Sequence, residues 1–432
     1  MLNRILRAAE WTLLLILWMM FIVRSAPHTT TDFERARAYT RASEFNYDIW
    51  VTEASLLKLN QSALGMPDYI GREQRAEAVM EHLRLTQTIL DAEHRLEILF
   101  ADPAIKDKPA ESAHIRAELD RLYARQEQLQ PIAESIIQAQ VTDILNEAGL
   151  TLGGQPIPPV LYHVTPLPLN LVVSRRDRIE QTMGFSLEPF LTVEEQVQLE
   201  NNVAAELDVS TLIVPVGGIG VYPTMVMRTD YFSWQVSTVI HEWTHNYLNL
   251  RPLGMNYGGP PEVRIMNETA ASIVENELGP LLMQRYYPHL ASSLSPLAGA
   301  AAPVIFFGTP LSEDPPPFDF RAEMHTTRVR VDELLAEEKI EEAEAYMEQR
   351  RQFFWDNGYA IRKLNQAYFA FYGAYADTPG GPAGEDPVGP AVRALRSQSA
   401  SLADFLNTIS WMDSFEDLLA AIGQVPGETT SK

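Results

Sequence analysis

The stretch that decides the fold reads Val239-Ile240-His241-Glu242-Trp243-Thr244-His245-Asn246-Tyr247. Histidines at i and i+4, with a glutamate directly after the first, form an HExxH pattern. It carries chemistry only on a helix, where the period of about 3.6 residues brings both imidazoles to one face. The flanks meet that condition: Val236, Val239, Ile240, Tyr247 and Leu248 supply an apolar face, and Thr229 or Asp230 can cap the start. A helix is therefore predicted over residues 231–250. On it His241 and His245 can share one divalent ion, with Glu242 beside them. Zinc on neutral ligands lowers the pKa of its bound water to about 7, and an adjacent carboxylate can take the remaining proton.

A catalytic zinc takes three protein ligands and keeps one position open. Downstream, past a glycine-rich turn at Gly254 to Gly259, residues 261–287 read as a second helix able to return antiparallel to the first. Glu268 is the expected third ligand. It lies in the early turns, and apolar Ile265, Ala270 and Val274 surround it, so a carboxylate facing inward there needs a partner. Asn267 is expected to hold a ligand in place from behind the metal.

The metal must sit on His, Asp or Glu, because the 432 residues include no cysteine and nine histidines. Disulfides, thiolate sites, iron–sulfur clusters and thiol nucleophiles are excluded with it. Lys and Arg total 34 against 57 Asp and Glu, a formal charge of −23. A surface so acidic cannot displace counterions from nucleic acid, so that class of partner is excluded. Hydrophobic residues make up 46% and charged residues 21%, the balance of a chain that folds around a large core.

Towards the amino terminus, Trp11 to Val23 is apolar apart from Thr12, with Arg4 and Arg7 before it and Arg24 after it. Residues 1–30 read as a signal anchor holding the body outside the cytoplasm. The alternative is secretion after signal cleavage, which Pro27 disfavours after Ala26. Residues 31–150 read as a helical bundle. Ile115, Leu122, Leu129 and Ile136 recur every seven residues with Leu119 on the same stripe, a seam that also suits a protein partner. Pro131 is expected to kink or restart that helix. Gly- and Pro-rich Leu150 to Pro168 marks a boundary, followed by a domain over 151–425. Strands are expected at Leu169 to Ser174, Leu212 to Val216 and Val221 to Met227, and further helices at 193–207, 321–357, 360–376 and 388–420. The fold class is α+β, predominantly helical, with a small sheet.

HExxH followed by Asn-Glu-x-x-Ala on a second helix resembles the gluzincin metallopeptidases. More narrowly, Asn267-Glu268-x-x-Ala271-x-x-Val274-Glu275-x-x-x-Gly279 and the later Leu364-Asn365-Gln366-Ala367-Tyr368 are similar to the bacterial predicted aminopeptidases. The resemblance covers roughly Tyr231 to Phe405. It implies a zincin-like domain with one zinc per chain on His241, His245 and Glu268, Glu242 as general base, and a peptide or protein substrate. The sequence departs from the wider clan in three ways: a longer interval between His245 and Glu268, no Gly-x-Met-Glu-Asn motif, and Ser272 where thermolysin-like enzymes carry Asp. Aminopeptidase and endopeptidase therefore both stay open.

Peptide hydrolysis also needs a donor for the oxyanion and something to align the peptide. Gly218, Ile219 and Gly220 precede the metal helix and offer backbone for strand addition. Tyr368 and Tyr372, on a stripe with Arg362 and Asn365, are the candidate oxyanion donors, with Asn365 orienting the substrate. The competing function is a catalytically silent, membrane-anchored binding or scaffold protein with a structural metal site, which would not require Glu242. A di-iron site built from Glu111-x-x-His114 and Glu242-x-x-His245 would leave His241 without a role.

Overall fold

The computed structural model describes residues 31–65, 69–101, 107–291, 318–357, 359, 361–373 and 387–423, together with 11–15 and 18. Most of the expected amino-terminal anchor thus lies outside the described residues. Among the described residues no helix is long and apolar enough to cross a membrane.

Helix α1 (Asp32–Thr40) starts at Thr31, whose hydroxyl accepts from the Glu34 N–H, and α2 (Tyr47–Leu64) starts at Asn46, whose side chain accepts from Ile49. Each cap satisfies an N–H that the first helical turn leaves open. Then α3 (Arg72–Ala101) and α4 (Ala113–Glu147) pack side by side. Of the heptad stripe Ile115, Leu129 and Ile136 are buried, as is Leu119 alongside, while Leu122 is half-buried. Pro131 does not divide α4, which continues through it.

Among the described residues six strands follow, arranged as two three-stranded sheets rather than one. They are β1 (Tyr162–Val164), β2 (Leu169–Ser174), β3 (Gln181–Leu187), β4 (Ser210–Val214), β5 (Gly218–Ile219) and β6 (Thr224–Val226), with helix α5 (Val193–Leu207) between β3 and β4. One sheet has the order β3-β2-β4, antiparallel throughout, with Leu171 opposite Phe185 on one side and Ile213 on the other. In the other, β6 pairs in parallel with β1 and antiparallel with β5, which leaves β5 on an edge. Strands β1 and β3 were not expected from sequence.

The remaining long helices are α6 (Phe232–Leu248), α7 (Pro261–Tyr286), α8 (Phe320–Ala336), α9 (Ile340–Asp356), α10 (Gln366–Tyr372), α11 (Val388–Gln398), α12 (Leu402–Ile409) and α13 (Phe415–Ala421). Residues 321–357 form two helices, because Glu338 adopts a left-handed φ of 60° and the Lys339 N–H turns back to the Leu334 carbonyl. The long helix expected over 388–420 is three, restarted by Ser401 and Ser414, each accepting from the N–H three residues on.

The principal core gathers α6 and α7, strands β1 and β6, and the carboxyl-terminal helices, and it also includes Val79 and Leu83 of α3 and Ala133, Ile136, Ile137, Val141, Ile144 and Leu145 of α4. At about 1.5–3 kcal/mol for each large apolar side chain, those α4 residues alone contribute on the order of 10 kcal/mol. The core therefore does not divide near residue 150: the second half of α4 supports the helix that carries the histidines.

Candidate metal centre

His241, Glu242 and His245 all lie on α6, as their spacing requires, and Val236, Val239, Ile240, Trp243 and Tyr247 anchor that helix in the core. Helix α7 packs against it. Gly279 of α7 lies so close to Ser237 that a Cβ there would meet the hydroxyl at 2.7 Å, which lets the two helices approach. This contact draws the carboxylates of α7 up to the imidazoles of α6.

The result is a triangle of donor atoms. Nε2 of His241 lies 3.0 Å from Nε2 of His245. Oε2 of Glu268 lies 3.4 Å from the first and 3.5 Å from the second. A tetrahedral ion with bonds of about 2.0–2.1 Å sets its ligands about 3.3–3.4 Å apart, so these edges fit one ion bound by three ligands. Among the described residues this is the only such cluster of His, Asp and Glu that can hold a metal ion. Glu111 and His114 take no part in it.

The tautomers follow from the outer partners. Nδ1 of His245 lies 2.7 Å from Oδ1 of Asn267, an atom that only accepts, so Nδ1 carries the proton and Nε2 presents its lone pair. Nδ1 of His241 faces Oε2 of Glu275 at 3.3 Å, with the same consequence. Two ring lone pairs and a buried carboxylate thus converge, and Glu268 Oε2 has no hydrogen-bond partner there. Such convergence favours a cation. The other oxygen of Glu268 accepts from the Tyr257 hydroxyl.

Proton affinities express the same preference. Burial, the largest influence on each group, would lower both histidines and raise Glu268. Yet Glu275 and Glu268 hold His241 well above its ordinary value, Glu268 raises His245, and the two histidines hold Glu268 well below the usual carboxylate range. Glu242 behaves differently: burial raises its carboxyl against the opposing pull of His245 and His241.

A cleft of about 680 Å³ opens onto this centre, lined by α6, α7, the Val216 to Val221 segment and parts of β2 and β3. That is room for a short peptide segment and not for a folded protein. Gly218, Ile219 and Gly220 line it as expected. The backbone at Gly218 rests directly on Glu242, since a Cβ there would meet Oε1 at 2.5 Å and Cγ at 2.7 Å. Asn246 fixes this arrangement by donating from Nδ2 to the Val221 carbonyl at 3.2 Å and to the Thr224 hydroxyl at 2.9 Å.

Three expected site residues are not brought to the centre. Tyr368 and Tyr372 pack against each other, ring centroids 4.5 Å apart, in a second core with Met324, Leu334 and Phe354, and neither lines the cleft. Their four-residue spacing marks a core stripe. Asn365 caps α10, accepting from the Tyr368 N–H and donating to the Thr211 carbonyl. Arg362 pairs with buried Glu200. Sequence reasoning in turn missed roles for Glu275, Tyr257 and Asn246. Only Glu275 left a legible signal, since it follows Glu268 by seven residues, two turns along the same face.

Neither a protein-family model, nor a curated protein, nor a solved structure matches the chain.

Proposed function

We propose that this chain is a zinc-dependent peptidase of gluzincin type, hydrolysing peptide bonds with Glu242 as general base. The observation that carries the reading is the convergence of His241 Nε2, His245 Nε2 and Glu268 Oε2 at metal-ligand spacing, at a cleft that Glu242 also lines. A structural zinc site closes all four positions with protein ligands, whereas three ligands beside an open cleft suit a catalytic ion. When bound there, zinc supplies Lewis acidity and lowers the pKa of a coordinated water to about 7.

The chain's own residues do the rest. Glu242 takes the proton of the attacking water and passes it to the leaving amine. Asn267 and Glu275 keep both histidines in the tautomer that presents Nε2. The Val216 to Val221 backbone, with β5 on a sheet edge, aligns an extended peptide by strand addition. Tyr257 takes the oxyanion-donor role first expected of Tyr368 or Tyr372, because its hydroxyl lies in the cleft, its one O–H turning from Glu268 Oε1 to the developing oxyanion. The apolar run from Trp11 to Val23 tethers this body to a membrane on the extracytoplasmic side.

The test is metal content and peptide hydrolysis of the purified full chain beside His241→Ala, Glu268→Ala and Glu242→Gln. About one zinc per chain is expected, lost or much weakened in the first two variants and retained in the third. Glu242→Gln should lower turnover by about 10²- to 10⁴-fold. A folded chain that takes up no zinc on resupply, or hydrolysis untouched by Glu242→Gln, overturns the reading.

A further inference from the structure

Away from the metal, the cleft runs onto the sheet of β2, β3 and β4, where Asn170 of β2 and Gln181 and Ser186 of β3 line it together with Tyr47 of α2. All four side chains are neutral and carry hydrogen-bonding groups. Two of them are spent on each other, since the Tyr47 hydroxyl donates to Oγ of Ser186 at 2.9 Å. Ser186 stands directly opposite Asn170 in the β2–β3 register, and Val214 stands opposite it on β4. Asn170 thus has an engaged hydroxyl on one side and an apolar side chain on the other. Among the described residues its half-buried carboxamide makes no hydrogen bond.

Gln181 is oriented by its own partner. Its Oε1 accepts from Nη1 of Arg264, and an oxygen held there turns Nε2 the other way. That nitrogen faces Gly184, where a Cβ would lie 3.0 Å from Gln181 Nε2 and 3.4 Å from Asn170 Oδ1. The missing side chain therefore leaves a space at the cleft between one donor and one acceptor. In an extended chain the carbonyl and the N–H of one residue point to the same side, which is how paired strands exchange two hydrogen bonds. A donor and an acceptor side by side are the complement of that pair.

We infer that Asn170 and Gln181 form a substrate subsite that grips the backbone of one residue of an extended peptide, Nε2 of Gln181 donating to its carbonyl and Oδ1 of Asn170 accepting from its N–H. Arg264, which holds Gln181, stands one helical turn of about 5.4 Å before Glu268, and an extended peptide advances about 3.3–3.6 Å per residue, so the gripped residue lies a few residues from the bond at the metal. The substrate class that follows is an unfolded peptide long enough to span both points, read at the second by its backbone and not by its side chain. The inference rests on the peptidase reading for the bond that is cut, and on this pair for binding.

Binding is therefore read apart from hydrolysis, by calorimetry on the full chain carrying Glu242→Gln and supplied with zinc. The probes are N-acetyl-hexaalanine amide and a series in which one peptide N–H at a time is replaced by an ester oxygen. One position is expected to lose about tenfold in affinity on account of Asn170, the worth of one hydrogen bond to a half-buried acceptor. Adding Asn170→Leu should erase the loss at that position, whereas Asn170→Asp, which keeps the acceptor, should retain it. Positions read by the β5 edge keep their losses in every variant. Gln181→Glu, which keeps the oxygen facing Arg264 and removes the donor, should weaken the parent peptide about tenfold. Gly184→Ala should weaken it as well, with an unchanged urea unfolding midpoint. If Asn170→Leu does not fold, Asn170→Ala carries the same comparison. A hexapeptide that does not bind, or an ester series that reads the same in the parent and in the Asn170 variant, overturns the inference. Failure of the peptidase reading would show separately, as this pattern of binding without turnover of the hexapeptide by the wild-type chain.

Discussion

Nδ1 of His241 lies 3.3 Å from Oε2 of Glu275, two turns beyond Glu268 on the same helix. On the proposed reading one helix thus provides both a metal ligand and the group that orients another. Ser272, at the position where a shorter-range carboxylate would serve, is buried and leaves that task to Glu275. Removing such a partner frees the ring to rotate and changes its tautomer. Glu275→Gln should weaken zinc affinity by about 10- to 100-fold while leaving the fold intact. Competition with a calibrated chelator measures this directly, and an unchanged affinity would reduce Glu275 to a bystander.

Gly218 makes a sharper prediction, because its environment separates metal binding from proton transfer. A methyl group there would meet three atoms of the Glu242 side chain at 2.5–2.8 Å, while the metal ligands remain elsewhere on α6 and α7. The carboxylate must therefore move. Since misplacement by about 1 Å can cost about 10²-fold in rate, Gly218→Ala should lower kcat by that order with zinc content unchanged. Loss of zinc in step with activity would show that the glycine serves the metal site as a whole.

The parts of this centre legible in the sequence are those that one helix encodes by itself. His241, Glu242 and His245 are placed by spacing, and Glu268 by the mismatch between a carboxylate and its apolar neighbours. Tyr257 sits in the turn between α6 and α7, where position depends on how the helices dock, so no local pattern announces it. The stripe of Tyr368 and Tyr372 misled because helical periodicity reports that residues share a face, not which core the face meets. Strand β3 was hidden for a related reason: Gln181 to Leu187 contains Gly184 and alternates weakly, and pairing with β2 makes it a strand. The breaks at Ser401 and Ser414 were readable in principle, since each is a serine followed three residues later by an aspartate that its hydroxyl can cap.

Stability at acid pH should hinge on Glu134, a buried residue of α4 far along the chain from the histidines. Its carboxylate accepts from Lys58 Nζ at 2.5 Å and from the Val164 N–H at 2.9 Å, and lies 3.0 Å from Nδ1 of His163. Burial, the largest influence, would raise its carboxyl, but Lys58 and His163 together hold it well below the usual range. The unfolded chain binds this proton near pH 4.3 and the folded chain only at much lower pH. Stability from the group is therefore complete above that unfolded value and is lost as pH falls below it, the unfolded state taking up the proton first. Glu134→Gln should flatten this dependence between about pH 5 and 3. It should also cost about 3–5 kcal/mol at pH 7, where it strands buried Lys58. Urea unfolding midpoints at pH 7, 5 and 4 check both, and parallel curves for parent and variant would dismiss the assignment.

Tyrosine chemistry offers the cleanest separation between what the sequence stripe suggests and what the geometry supports. Tyr257 touches Glu268 through its hydroxyl and lines the cleft, whereas Tyr368 is buried in another core and Tyr372 packs half-buried against it. Removing an oxyanion donor typically costs about 10²- to 10³-fold in kcat with little change in KM, because the bond forms fully only in the transition state. Tyr257→Phe should show that pattern. The same substitution also removes a hydrogen bond to a metal ligand, so zinc affinity is measured alongside, and a tenfold weaker site with unchanged kcat at saturating zinc would assign Tyr257 to ligand positioning instead. Tyr368→Phe and Tyr372→Phe should leave kcat and KM within about twofold of the parent and shift stability alone, since the ring packing survives the loss of the hydroxyl. A large fall in kcat for either, with zinc and fold intact, would return the oxyanion role to the carboxyl-terminal helix and require the cleft to rearrange around the substrate.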